Sequence, residues 1–284
     1  MRGVGTIVAL SVALLGAWFT VQADAADTDG VRTLAREKAA AVGLMQGDAA
    51  RAVVRLAQGR LFTAYLEATT QGEGARLTAR INQAFVSMAG HFGLREFELI
   101  DRSGAVVARV VMHEAVAGTK FDMGQEPMLA AGFAQKARSV KSSPMRRPGA
   151  SGWTISHVAP VGWHGQTEFV LRVQQDGTAY RRILALGADA KRYVVLADQD
   201  GRILSDSRPG TQGDDKPALT IAGQSLQSLR RSLKGTAEEG SGKVGPRNKQ
   251  FNVSYRAVGR WTVVAVEPIA APRNCPKGGE RLCG

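Results

Sequence analysis

Two stretches of this chain are built alike: FELIDRSGAVVARV, from Phe97 to Val110, and YVVLADQDGRILSD, from Tyr193 to Asp206. Each reads as an apolar strand, an Asp-x-x-Gly turn and a second strand. Asp101 and Asp198 stand 97 residues apart, and so do Gly104 and Gly201. Aspartate and glycine dominate turns in general, so a single match of this kind says little. The segments after the two hairpins repeat as well: a loop and short helix, then a closing pair of strands. Ser156 in TISHVAP and Ser254 in NVSYRAV are 98 residues apart, close to the hairpin offset. The order predicts two copies of one α+β unit.

The N-terminus decides where such a chain works. Arg2 is followed by TIVALSVALLGAWFTV, Thr6 to Val21, 16 residues without a charge, and then by QADAAD, in which Ala23 and Ala25 form a small-x-small cleavage pattern. A positive start, a short apolar run and Ala-x-Ala predict a secretory signal over residues 1–25. An uncleaved anchor is the alternative, although the run falls short of the ~20 residues a spanning helix needs. Both place the remainder outside the cytoplasm, and a periplasmic location is expected. The formal charge of +12 would suit nucleic acid, anionic lipid or small anions. Export argues against nucleic acid. An oxidising compartment also favours a disulfide between Cys275 and Cys283, which would staple the C-terminal tail.

From Thr28 to about Thr70 the chain is rich in Ala and Arg and free of proline, which favours helix. Ala50, Val53, Val54, Ala57, Leu61, Ala64 and Tyr65 recur at three- and four-residue steps. Asp48 is a possible local N-cap, so a bend is expected near Gly43 and Gly47. Leu77, Ile81, Ala84, Phe85 and Met88 define a second amphipathic helix. Further helices are expected from about Glu126 to Arg138, over GTAYRRILALG, and around Leu226, Leu229 and Leu233. Gly235 to Asn248 reads as a glycine-rich loop.

The export signal leading into a long helix, the two Asp-x-x-Gly hairpins, TISHVAPV followed by FVLRVQQD, and the closing WTVVAVEP together resemble the double Cache family, the PAS-like extracytoplasmic sensor modules of bacterial receptors. The resemblance spans residues 30–268. It implies an α+β fold with a long N-terminal helix followed by two tandem PAS-like antiparallel-sheet domains. The corresponding boundaries are 26–72 for the helix, 73–188 for a membrane-distal ligand-binding domain, 189–268 for a smaller second domain and 269–284 for the tail. It further implies a small ligand between the first sheet and the loop and helix that cover it. The capping helix reads GQEPMLAAG and lacks the aromatic and arginine signature of the amino-acid-binding branch, which argues against amino acids. No kinase, cyclase or chemotaxis output domain is expected after the second unit, so the expectation is signalling through a membrane-bound partner or action as a soluble binder.

Strand alternation narrows the candidate ligand contacts. On RVVMH, Arg109, Val111 and His113 share a face. On EFVLRVQ, Val170, Arg172 and Gln174 do, and Gln174 falls where family members often place an acidic contact. On WTISHV, either Trp153 with Ile155 and His157, or Thr154 with Ser156, points inward. Lys136, Arg138, Lys141, Arg146 and Arg147 form a basic loop near the cap. An arginine fork grips a carboxylate at two points, and a buried Arg172 must meet a protein carboxylate, water or a ligand. The expectation is a small anionic ligand held by Arg109, His113, Trp153, Ser156, Arg172 and Gln174.

No enzyme signature competes with this reading. His91, His113, His157 and His164 lack metal-ligand spacing, no Gly-x-Ser-x-Gly elbow occurs, and no haem or phosphate-loop motif implies a cofactor. Two alternatives remain: an envelope interaction protein whose basic surface docks on anionic lipid or polymer, and a hydrolase whose site carries no recognisable motif.

Overall fold

The structure, a computed structural model, describes residues 5–69, 74–134, 139–142, 145–146, 153–163, 166–188, 191–208, 218–246 and 249–270. Three helices come first: α1 (Gly5–Ala57), α2 (Arg60–Thr69) and α3 (Gly74–Met88). The expected bend at Gly43 and Gly47 is absent. Helix α1 runs through both, Asp48 lies within it and pairs with Arg51 one turn on at 2.5 Å, and the break falls at Gln58–Gly59. Two isolated glycines cost only about 1 kcal/mol each in a helix, too little to end one whose buried face continues through Ala49 and Val53. Among the described residues no helix is long and apolar enough to cross a membrane. Cys275, Cys283 and the basic-loop residues Lys136, Arg138 and Arg147 lie outside the described residues.

The chain divides into two compact units, one of residues Ala41–Ile183, the other of residues up to Ala40 with those from Leu184 on. The first holds β1 (Leu94–Asp101), β2 (Val106–Val111), β3 (Glu114–Ala115), α4 (Pro127–Ala134), β4 (Val140–Lys141), β5 (Met145–Arg146), β6 (Trp153–Trp163) and β7 (Gln166–Asp176). Its antiparallel sheet has the order β3-β2-β1-β7-β6-β4, with β5 also on β6. Phe97, Leu99, Ala108, Val110, Leu171 and Val173 are buried on one face against Ala49, Val53, Phe62, Ile81 and Phe85 of the helices. Ile100, Val158 and Val170 lie on the other face, under Leu129 of α4.

Helix α5 (Gly177–Ala185) then leads to β8 (Tyr193–Ala197), β9 (Ile203–Asp206), β10 (Thr220–Ile221), β11 (Gln224–Ser225), α6 (Leu226–Ser232), β12 (Lys234–Gly235), β13 (Glu239–Val244), β14 (Phe251–Val258) and β15 (Trp261–Pro268). The second sheet runs β12-β13-β14-β15-β8-β9. In both sheets the opening hairpin lies beside the last strand, which lies beside the penultimate one. The middle of the glycine-rich segment read as a loop is thus strand β13, paired with β14 from Glu239↔Arg256 to Val244↔Phe251. Its glycines hid the strand because they carry no alternating apolar signal, yet Gly240 is where the Tyr255 ring crosses, 2.6 Å from where a Cβ would stand.

The duplication holds down to single atoms. Asp101 Oδ1 accepts from the amides of Ser103 (2.8 Å) and Ala105 (2.9 Å); Asp198 Oδ1 accepts from those of Asp200 (3.0 Å) and Arg202 (2.8 Å). Gly104 and Gly201 both take left-handed φ, 84° and 81°, which explains glycine at each turn. Strand register slips at Leu99/Ile100 and again 97 residues later at Leu196/Ala197. The amide of Phe121 donates to Gly104 O, and that of Leu219 to Gly201 O, so the chain returns over each turn in the same way.

In the second unit, α1 reaches β13 through charged side chains. Arg32 donates to Ser241 Oγ, and Arg36 and Arg256 both donate to Glu239. The hydrogen bond from Arg36, with the positive charge of both arginines, holds the Glu239 carboxyl below its ordinary pKa. A depressed folded-state pKa contributes stability that is present above the unfolded-state value and lost as pH falls through the folded one. The stability difference between the native chain and Glu239→Gln is therefore expected to persist through mild acid and to vanish only below the usual carboxylate range, as thermal unfolding across pH would show.

Candidate functional site

The cap-side face of the first sheet is the candidate site. Because Phe97 and Leu99 point to the helices, strand alternation sends Glu96, Glu98 and Ile100 the other way. The same holds on β7, where Leu171 and Val173 face the helices and Val170, Arg172 and Gln174 the cap. On β6, Ala159 and Val161 face the helices, which places Ser156 and Val158 on the cap side and settles the parity that sequence left open. Register then sets side chains in rows: Arg109, Glu98, Arg172 and Val158 across one, and Val111, Glu96, Gln174 and Ser156 across the next.

The first row is an ion-pair ladder. Arg172 Nε donates to Glu98 Oε2 at 2.5 Å. Arg109 donates to Glu96 Oε1 from Nη2 at 2.7 Å and from Nε at 3.2 Å, and its Nε lies 3.3 Å from Glu98 Oε1. Glu126 Oε2 stands 3.6 Å from Arg172 Nη1. Glu98 is fully buried and Arg172 nearly so. Glu98 Oε1 is buried as well and takes no hydrogen bond among the described residues. Two guanidiniums thus face three carboxylates.

The cap is built to cover this ladder. Asp122 accepts from the Gly124 amide at 3.0 Å, starting a short 3-10 turn, and Glu126 leaves the helical region, with φ −116° and ψ 69°, ahead of Pro127, which opens α4. The Phe121 ring lies 4.2 Å from the Arg172 guanidinium carbon, a cation–π contact. Helix α4 approaches so closely at Gly132 that a Cβ there would stand 2.4 Å from Val158 Cγ1.

Four of the six expected contacts, Arg109, Ser156, Arg172 and Gln174, are therefore brought to one face. The other two are not. Trp153 is buried on the helix side of β6, its ring 5.3 Å from that of Tyr180. There Tyr180 donates to Gln175 Oε1 at 2.7 Å, His157 Nε2 lies 3.4 Å from the same oxygen, and burial raises the Tyr180 pKa. His113 leaves the face because β2 ends at Val111: Met112 and His113 form an exposed turn with φ of 49° and 77°. Lys141 and Arg146 fall on β4 and β5. Glu96, Glu98, Phe121 and Glu126 were missed. The signal for the first two was present in REFELID, where acids occupy alternate positions of an otherwise apolar strand.

This fold is that of the double Cache sensor modules. No family model and no curated protein sequence matches the chain, and the likeness is to solved structures. The sensor domain of the Vibrio cholerae histidine kinase DctB superposes with a TM-score of 0.60 at 13% identity, covering 86% of this chain and 98% of that one. The ligand-binding domain of the Pseudomonas fluorescens chemoreceptor CtaA, in complex with L-serine, gives 0.55 at 15%, covering 84% and 96%. That of the Pseudomonas aeruginosa amino acid chemoreceptor PctC, in complex with GABA, gives 0.55 at 16%, covering 84% and 99%. At such identities the shared property is the fold.

Proposed function

We propose that the protein is an exported small-molecule sensor module, working through a membrane-bound signalling partner, whose ligand binds at the cap-side face of the first sheet. The observation that carries this reading is the ladder Arg109–Glu98–Arg172, buried at Glu98 and Arg172, in which Glu98 Oε1 meets Arg109 Nε at 3.3 Å but takes no well-aligned hydrogen bond among the described residues. A buried carboxylate oxygen held only by that ion pair gains from a donor aligned on it. The expectation of a simple anion is narrowed by the same geometry, because both guanidiniums already face carboxylates. A ligand that completes the ladder brings an N–H or O–H donor for Glu98 and a carboxylate for the remaining arginine donors. The L-serine and GABA of the CtaA and PctC complexes belong to this chemical class. Gln174 and Ser156, one row along, would supply neutral hydrogen bonds.

Entry requires Phe121 and α4 to lift from Arg172 and Val158. Signalling results only if the ligand prefers one cap position over the other, since equal affinity shifts no population. A thermal-shift series on the full chain, with amino, hydroxy and plain carboxylates and simple amines, tests the reading. Stabilisation is expected from molecules carrying both groups, and Gln174→Leu and Ser156→Ala are each expected to weaken it about tenfold through one lost hydrogen bond. If nothing in the series stabilises the chain, or if both variants respond as the native protein does, the ligand site is elsewhere.

A further inference from the structure

The second unit holds a cleft of different character. It has a volume of about 180 Å³ and lies between α1 and the β12–β14 side of the sheet. That is well below the roughly 300–1,000 Å³ of pockets that enclose drug-sized molecules. Its charged lining is Arg32, Arg36, Lys234, Glu239 and Arg256, four cations and one anion. Local structure explains the gathering. Arg32 and Arg36 are one helical turn apart on α1. Lys234 lies on β12 and Glu239 on β13, a pair of strands joined by a tight turn, with Gly235 brought so close that a Cβ would meet Glu239 O at 2.1 Å. Arg256 sits opposite Glu239 in the β13–β14 register.

The single carboxylate does not neutralise this group. Glu239 accepts from Arg36 and Arg256, and each guanidinium has five N–H donors. Arg32 directs Nε and Nη2 at the neutral Ser241 hydroxyl, at 3.2 and 2.8 Å, so its charge is not balanced inside the cleft. The exposed Asp29, 3.5 Å from Arg32 Nη1, is not part of the cleft lining. Buried small residues, Ser241 and Ser254, form the floor. Donors therefore converge from a helix and from two different strands, and the net charge of the lining is positive.

We infer that this cleft binds a phosphate group. A planar carboxylate accepts in one plane, whereas a tetrahedral oxyanion accepts from several directions, which matches forks arriving from α1 and β14 with an ammonium from β12. The volume admits the group itself and leaves any larger substituent outside. The site is independent of the sensor reading of the first unit. The phosphate could be free or the headgroup of a lipid, and the two sources share the same contacts.

Isothermal titration of the full chain with inorganic phosphate, against sodium chloride at matched ionic strength, reads the site directly. A parallel arm measures co-sedimentation with phosphatidylcholine vesicles containing phosphatidic acid. One saturable phosphate site is expected, weakened about tenfold or more by Arg32→Gln and by Lys234→Gln, each of which removes a charge-assisted contact without touching the Glu239 pairs. Arg80→Gln, an exposed change on α3, is expected to bind as the native chain does, and circular dichroism checks that every variant is folded. Vesicle binding with the same dependence but no free-phosphate binding assigns the group to a lipid. Absence of binding in both arms overturns the inference, as does native-like binding by both cleft variants or an equal loss in Arg80→Gln.

Discussion

Arg172→Met is expected to lower the stability of the first unit by about 3–5 kcal/mol, because it leaves a carboxylate buried beside an apolar side chain. Glu98 is fully buried, and its shortest hydrogen bond is the one Arg172 supplies. Arg109 remains 3.3 Å from the other oxygen but already donates twice to Glu96, so it compensates only in part. The double change Glu98→Met with Arg172→Met is expected to recover most of the loss, since it removes both charges and fills the space with apolar atoms. Equilibrium urea unfolding gives the magnitudes, and hydrogen exchange along β1 and β7 locates the loss. A double change that costs as much as Glu98→Met and Arg172→Met added together would mean that Glu98 and Arg172 are not energetically coupled.

Phe97→Ala is expected to cost about 3–5 kcal/mol through the opposite face of the same strand. The Phe97 ring stacks on Phe85 of α3 with centroids 5.2 Å apart, Phe85 meets Phe62 of α2 at 6.1 Å, and all three are fully buried. Truncation removes a ring that touches both the sheet and a helix, and neither can move far to fill the void. Unfolding midpoints against denaturant check the magnitude. Because Phe97 points away from Glu96 and Glu98, a folded Phe97→Ala chain is expected to keep the ligand response of the native protein at low temperature, which separates loss of core from loss of site.

These two changes, on one strand, show where sequence and structure divide the information. The two strands and the Asp-x-x-Gly turn that reverses them were legible, and the alternation that puts Phe97 and Leu99 on one face and Glu98 and Ile100 on the other was present in FELID, although it did not single out Glu98. Those are local properties, encoded in neighbours a few residues apart, and the 97-residue repeat extended them to a second unit. The failures were also local in origin. Strand β13 carries too many glycines to show a period, and β2 stops short of His113, because Met112 and His113 take left-handed backbone that no propensity scale demands.

What the chain alone determined was the double antiparallel architecture, the hairpin geometry and the presence of Arg172 in an apolar strand. What only the tertiary structure decided was the partner of that arginine. Glu98 is 74 residues away, and it meets Arg172 because β7 returns antiparallel beside β1 in one register out of several. Pairing between distant strands depends on which faces the helices and the cap bury together. That is a property of the assembled core, and no stretch of sequence contains it.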